Sequence, residues 1–213
     1  MCSSDLSRIA ALAFSCVFAC GALAQSDYPS RPVRIIVPSP PGGGTDIVGR
    51  VLAQHYSRAF GQSVFVENKP GAGNMIGIEA VARSPADGHT LLFVASTLAL
   101  NSVLYKKVPY DPVRDFTPIS MASSYPFVLV SHPSLPVQSV KSLVALAKAR
   151  PDQLAYASAG SGTMSHMAME LLRLNPAIKV THLPYKGAAP AAVSLMSGES
   201  QCAFIVMPVV GPQ

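Results

Sequence analysis

The sequence predicts an α/β protein with parallel strand pairing, and three observations carry that expectation. Short β-rich runs alternate with helical apolar patterns along most of the 213 residues. Glycine-rich junctions join a strand to a helix in two places, one in each half of the chain. The composition, 49% hydrophobic against 13% charged with 19 prolines and 15 glycines, is that of a packed and well-punctuated chain rather than a disordered one.

The first strand is expected over residues 31–37 and runs into Pro38-Ser39-Pro40-Pro41-Gly42-Gly43-Gly44-Thr45-Asp46. After it, Ile47, Val48, Val51, Leu52, His55, Tyr56, Ala59 and Phe60 fall at helical spacing, and Gly61 stands where a C′ glycine would end the helix. Residues 63–67 read as the next strand. Asn68-Lys69-Pro70-Gly71-Ala72-Gly73-Asn74 reads as a loop, with Asn74 as the N-cap of a helix over 75–83. Pro85-Ala86-Asp87-Gly88 gives a turn before a buried strand over 90–95. A further turn at Pro109-Tyr110-Asp111-Pro112 precedes β-like runs at 116–121 and 127–131. The pattern restarts near Ser123-Ser124, which divides the mature chain into lobes of 25–123 and 124–213. In the second lobe a helix is expected over 140–150, a strand over 154–158, a helix from 167 to 174 and a strand over 179–183. A last helix ends at Ser197-Gly198, and the final strand covers 202–206.

Both glycine-rich junctions have the makings of an anion cradle. Consecutive glycines leave backbone N–H groups uncovered, and the first turn of the following helix adds unpaired donors and the positive end of a dipole. The second junction is Ala159-Gly160-Ser161-Gly162-Thr163-Met164-Ser165-His166. Taken singly, such turns serve chain reversal as often as binding. Two of them, one per half and neither beside a recognisable catalytic group, point to a small anion gripped between lobes, without turnover.

The first 24 residues read as a cleavable signal peptide. Arg8 supplies the positive n-region, residues 9–19 the apolar stretch, and Ala22-Leu23-Ala24 the small-x-small cleavage site. Lipid anchoring at Cys20 is the lesser alternative, because Phe18 is bulky for that signal. No later apolar run reaches the ~20 residues that cross a bilayer, so a soluble protein of the exported compartment is expected. Cys2, Cys16 and Cys20 fall in the leader; Cys202 then remains alone, read as a small buried residue rather than a reactive thiol.

Other function classes fit poorly. The net charge is +5, but the basic residues are scattered, aromatics make up only 7% and Trp is absent, which argues against nucleic acid and suits a small carboxylate. No Gly-Lys-Ser/Thr follows Gly44, so there is no P-loop. An NAD-dependent oxidoreductase-like domain is the main alternative, since Gly71-Ala72-Gly73 follows a strand; Ile76 occupies the place of the third fingerprint glycine, and Pro70 interrupts the turn. Ser165 and His166 are sequence neighbours about 100° apart on a helix, and no nucleophile elbow surrounds the serine. His55, His89, His132, His166 and His182 lack close ligand spacing, so no metal site is expected.

Several stretches then carry a family resemblance in order along the chain. They are Tyr28 to Pro38 with Pro41-Gly42-Gly43-Gly44-Thr45-Asp46, Val66 to Gly73, Pro85-Ala86-Asp87-Gly88, Val108 to Pro112, Tyr156 to Gly160, and Pro184-Tyr185-Lys186-Gly187-Ala188-Ala189-Pro190. Together they resemble the Bug/TctC-type extracytoplasmic solute-binding proteins of tripartite tricarboxylate transporters. The resemblance implies a periplasmic protein of the type II binding-protein class, two lobes around a ligand cleft. It also implies no enzyme activity and no cofactor, with a small carboxylate as ligand, membrane permease subunits as partners, and a monomeric state.

Transferred position by position, the first contact would be the amides of Gly42, Gly43 and Gly44 with the Thr45 hydroxyl. Asp46 either caps free amides in the first turn of the helix or pairs with the ammonium of an amino-acid ligand, the capping reading being preferred. Ser158, Gly160, Gly162, Thr163 and Ser165 match the opposing loop. His166 either donates to the ligand or satisfies backbone near the helix start. Ser96 and Thr97 are further cleft hydroxyls. Ser39 departs from the pattern, standing where the family usually carries an aromatic. Members also continue well past the position of Gln213, through a hinge that completes the first lobe, so the resemblance implies a C-terminally truncated chain with its first lobe incomplete.

Overall fold

The structure, a computed structural model, describes residues 28–174 and 178–210. The expected signal peptide and Cys20 lie outside the described residues. Two separate sheets organise the molecule. The first has strand order β2-β1-β3, built from β1 Val33–Val37, β2 Val64–Asn68 and β3 Thr90–Leu92, all parallel. Ile35 sits opposite both Val66 and Leu91. As the middle strand of a parallel sheet covered on its faces, β1 is an almost unbroken apolar run, with Val33, Ile35, Ile36 and Val37 buried.

Helix α1, Gly44–Phe60, packs on this sheet and ends at Gly61 in the left-handed conformation (φ 63°). Its buried face is not the large apolar stripe seen in the sequence. Gly49 and Ala53 face the sheet instead, while Val51, Tyr56 and Phe60 are exposed. The close approach explains this: a Cβ on Gly49 would lie 3.2 Å from Val37 Cγ2 and 3.3 Å from Phe93 Cδ1. A 3₁₀ turn, Ala72–Asn74, leads into α2, Met75–Ala82, and β3 leads into α3, Thr97–Leu104.

The second sheet has the order β4-β7-β5-β6. Its strands are β4 Phe127–Ser131, β5 Ala155–Ser158, β6 Thr181–Pro184 and β7 Cys202–Val206. Strands β5, β6 and β7 are parallel, whereas β4 runs antiparallel to β7 at the edge, a departure from the all-parallel expectation. Helices α4 Val140–Ala149 and α5 Met164–Arg173 cover one face, where Leu143, Ala147, Met169, Tyr156 and Cys202 form a core. Helix α6 Ala188–Ser197 and the short α7 Met207–Val210 cover the other, where Ala157, Ala191, Leu195, Ala203 and Ile205 meet. Cys202 is 1% exposed, and burial pushes its thiol up to about 12, so it packs as an inert residue.

Three expectations about elements are corrected. Residues 116–121 form no strand: Pro118 lacks an amide donor, and the segment pairs with no described strand while Ile119 and Met121 stand exposed. Helix α3 was not anticipated, because β3 ends at Leu92 rather than near Ala95. Asn74 occupies the N-cap position of α2, but in a left-handed conformation (φ 75°) without capping the helix; its amide donates to Thr97 Oγ1 at 3.2 Å.

Gly77 is the tightest helical packing point in the first sheet. A Cβ there would sit 2.7 Å from the Lys69 carbonyl oxygen and 2.8 Å from Pro38 Cα, which are backbone atoms that cannot rotate away. Gly77→Ala should therefore destabilise the chain by about 1–3 kcal/mol despite its higher helix propensity. Urea denaturation checks this; an unchanged or raised midpoint would show that the Pro38 turn yields.

Candidate functional site

The strand-to-helix junctions of both sheets open at the carboxyl ends of the parallel strands, on a shared cleft of about 1420 Å³. Ser39, Pro40, Gly43, Gly44 and Thr45 line it from the first sheet, and Ala159, Thr163, Met164, Ser165, Gly187 and Ala188 from the second. Much of the remaining wall is apolar, running along β3 and the segment 116–124. No Lys, Arg or His is among the described lining residues.

Of the helices that begin at this cleft without a capping side chain, three start at its glycine-rich loops or face them. Gly43 at α1, Thr163 at α5 and Gly187 at α6 hold the N-cap positions, and none caps its helix. The first amides of each helix, among them Gly44 and Thr45 in α1 and Ala188 and Ala189 in α6, have no partner inside it. The result is a cluster of backbone donors at the positive ends of three helix dipoles. Pro40 packs toward Gly187, where a Cβ would meet Pro40 Cγ at 3.2 Å, and Ala189 Cβ lies 3.5 Å from where a Cβ of Gly42 would be. The first glycine loop and the start of α6 thus touch at one rim. On the other side of the loop, Tyr125 brings its hydroxyl to within 3.1 Å of a Cβ position on Gly44.

Of the residues expected at the site, Gly43, Gly44, Thr45, Ser96, Thr97, Thr163 and Ser165 line the cleft. Gly42, Asp46, Ser158, Gly160, Gly162 and His166 stand behind it and hold the loops in shape. Asp46 Oδ2 accepts the Gly42 N–H at 2.9 Å, and Oδ1 accepts Asn68 Nδ2 at 2.9 Å. Arg50, one turn along the helix, pairs with the same carboxylate at 3.0 Å. Asp46 is 3% exposed. Burial alone would raise its pKa, but the hydrogen bonds from Arg50, Gly42 and Asn68 outweigh that and hold it below the usual carboxylate range. Asp46 therefore caps no amide of the first turn; the N–H it accepts belongs to Gly42 in the loop before the helix, and Arg50 is its ionic partner.

The second loop is held the same way. Ser165 Oγ accepts the Ala159 N–H at 3.0 Å, and Ser158 Oγ accepts the Gly160 N–H at 3.1 Å. The Gly162 N–H goes to His166 Nδ1 at 3.2 Å. Thr163 lines the cleft but donates its hydroxyl hydrogen to the Gly160 carbonyl at 2.6 Å, while the Thr45 hydroxyl makes no hydrogen bond among the described residues. Ser39 also lines the cleft, with its Oγ buried and unpaired among the described residues.

The sequence reading missed Pro40, Asn74, Tyr125, Ala159, Gly187 and Ala188 as lining residues. One signal was available: Gly187 followed by Ala188-Ala189-Pro190 is a helix start, because proline is tolerated in a first turn where its missing N–H has no intrahelical partner. Nothing local marks Tyr125, which reaches the cleft only because β4 enters the second sheet beside β7.

Removing the Asp46 carboxylate leaves the Gly42 and Asn68 donors unpaired. Asp46→Ala should cost ~1–3 kcal/mol. Because folding depresses this carboxyl, its contribution is present above the ordinary aspartate range and is lost as the pH falls through the folded-state value. The stability gap between wild type and Asp46→Ala should accordingly close below about pH 4. Denaturant midpoints measured across that range test the claim, and a gap independent of pH would contradict it.

Comparison with known proteins agrees with this architecture. A family profile described as "Tripartite tricarboxylate transporter family receptor" matches residues 48–213. Protein BugT of Bordetella pertussis is 42% identical over 185 residues, spanning 86% of this chain and 57% of BugT. A UPF0065 protein from the tcbD-tcbE intergenic region of Pseudomonas sp. is 39% identical over 80% of this chain and 51% of its own. Among solved structures, R. palustris Rpa4515 with adipate superposes with a TM-score of 0.83 at 34% identity, covering 87% of this chain and 62% of that one. MatC from Rhodopseudomonas palustris with bound malate gives 0.78 at 28% identity, covering 87% and 63%. The chain thus spans between half and two thirds of these relatives. Its mixed α/β architecture is that of the TctC and Bug periplasmic binding proteins, and the chain belongs to the tripartite tricarboxylate transporter receptor family.

Proposed function

We propose that this chain forms the ligand-gripping part of a periplasmic solute-binding protein that captures a small carboxylate and presents it to the permease subunits of a tripartite tricarboxylate transporter. The observation that carries the reading is the convergence of three uncapped helix N-termini on a cleft lined from both sheets, with no cationic side chain among the described lining residues. A carboxylate there is neutralised by amides and hydroxyls, which read charge without fixing the rest of the molecule. The adipate bound by Rpa4515 and the malate bound by MatC are ligands of this chemistry. Two lobes, 25–123 and 124–213, are favoured because the two sheets share no strand. The protein binds and releases its ligand unchanged and needs no cofactor.

Calorimetry with adipate and malate tests the reading. Gly43 lies at the start of α1 with a φ of −81°, and a Cβ there meets nothing closer than 3.7 Å, so Gly43→Val should fold normally. Its side chain covers the neighbouring amides, and binding should be lost. Thr45→Val removes a free hydroxyl of nearly the same shape, and affinity should fall roughly ten- to hundredfold, the worth of one hydrogen bond to a charged acceptor. Normal binding by both variants would move the ligand away from the first loop. Consumption of the carboxylate, or a response to NAD(H) alone, would replace binding with catalysis.

A further inference from the structure

Behind the second loop lies a stack of three rings that the binding reading does not use. Tyr156 on β5 stacks on His182 of β6 at a centroid distance of 4.7 Å, and His182 stacks on His166 of α5 at 4.4 Å. His166 Nδ1 accepts the Gly162 N–H, which requires a lone pair on that nitrogen and places its proton on Nε2. Nε2 faces Glu170 Oε1 at 3.6 Å. His182 Nε2 meets Ser158 Oγ at 2.6 Å, and Ser158 in turn accepts the Gly160 N–H. Two histidines therefore secure both glycines of one loop, His166 directly and His182 through Ser158.

We propose that His166 and His182 are positioning residues for the second glycine loop, and that protonation of His166 releases the Gly162 amide and loosens the carboxylate grip. An imidazolium has no lone pair, so the bond from Gly162 cannot survive the gain of a proton at Nδ1. The charged ring has a counter-charge in place: Glu170, which faces Nε2 and already accepts Tyr156 Oη and Arg173 Nη1 at 2.6 Å each. The two ring nitrogens thus serve different partners, and a proton on Nδ1 ends the loop contact alone while Glu170 balances the new charge.

The surrounding groups set which ring responds. From α5, Glu170 and Arg173 face the stack; from β5, Tyr156; from β6, His182; and from the end of α3, Tyr105, whose hydroxyl lies 3.4 Å from a Cβ position on Gly162. Burial, followed by the charge of His166, lowers the pKa of His182 below the ordinary imidazole range, so that ring is held neutral. Burial alone would raise the Glu170 pKa, but its bonds to Tyr156 and Arg173 lower it, and it stays ionised as the counter-charge for His166. The consequence for the ligand follows because Thr163, next to the released amide, and Ser165, two residues further on, line the cleft.

The effect on affinity rests on the carboxylate-binding reading, so the experiment has one arm that does not. The ¹⁵N–¹H resonance of Gly162 is followed in the ligand-free chain from about pH 8 to about pH 6, the range in which histidine serves as a proton switch. It should titrate in wild type and stay fixed in His166→Asn, whose Oδ1 accepts the same amide without taking a proton. Calorimetry with adipate over the same range should show affinity falling in wild type as the loop loosens, and staying flat in His166→Asn. A Gly162 resonance indifferent to pH overturns the brace. Titration of Gly162 alongside a pH-independent adipate affinity overturns its influence on the ligand. Absence of adipate binding at every pH, with Gly162 still titrating, upholds the brace and counts against the binding reading.

Discussion

The first amides of an α-helix have no partner within it, and this chain starts three helices on one cleft without supplying a side-chain cap to any of them. Left facing a closed apolar interior, such groups would be costly; facing a cleft, they remain open to solvent and to any anion that enters. The parallel strands make the convergence possible. Each parallel βα junction delivers a helix N-terminus to the carboxyl edge of its sheet, and the two sheets turn these edges toward the same space.

Keeping donors free at the surface of a loop demands that the loop itself be firmly held from behind. Asp46 performs that task in the first loop, drawing Gly42, Asn68 and Arg50 onto one buried carboxylate. Ser158, Ser165 and His166 share it in the second, each accepting a loop amide. These side chains belong to the types that a ligand site would use, and they occupy the expected neighbourhood. Their hydrogen bonds are spent on the backbone, which leaves the uncapped helix amides as the donors that face the cleft. Pre-organised donors of this kind lose little freedom when a ligand arrives.

The two sheets solve their packing differently. The first brings α1 close by presenting Gly49 and Ala53, so the helix lies near Val37 and Phe93 and its bulkier apolar residues face outward. The second packs larger side chains, including Leu143 and Met169, on one face, and mainly alanines with Leu195 on the other. Close approach in the first case fixes the height of α1 above its sheet, and with it the position of Gly43 and Gly44 at the cleft wall.

The alternation of strand and helix patterns, the stop at Gly61 and the glycine junctions after β1 and β5 were all legible in the chain, because each depends on local backbone preference and short-range periodicity. The family was legible in a different way, through the resemblance of motifs in order along the chain. The antiparallel placement of β4, the absence of a strand over 116–121 and the inward face of α1 were not legible, since each depends on which neighbour is present across the sheet. The site divides along the same line. Residue type and position placed Gly43, Gly44, Thr45, Thr163 and Ser165 near the cleft, but only the tertiary structure showed that Thr163 and Ser165, like Asp46, Ser158 and His166, already bond within their loops while the Thr45 hydroxyl does not. A hydroxyl or carboxylate in a loop is free or occupied according to partners that folding brings from elsewhere in the chain, such as Asn68 for Asp46 and His182 for Ser158, and no local pattern states that choice.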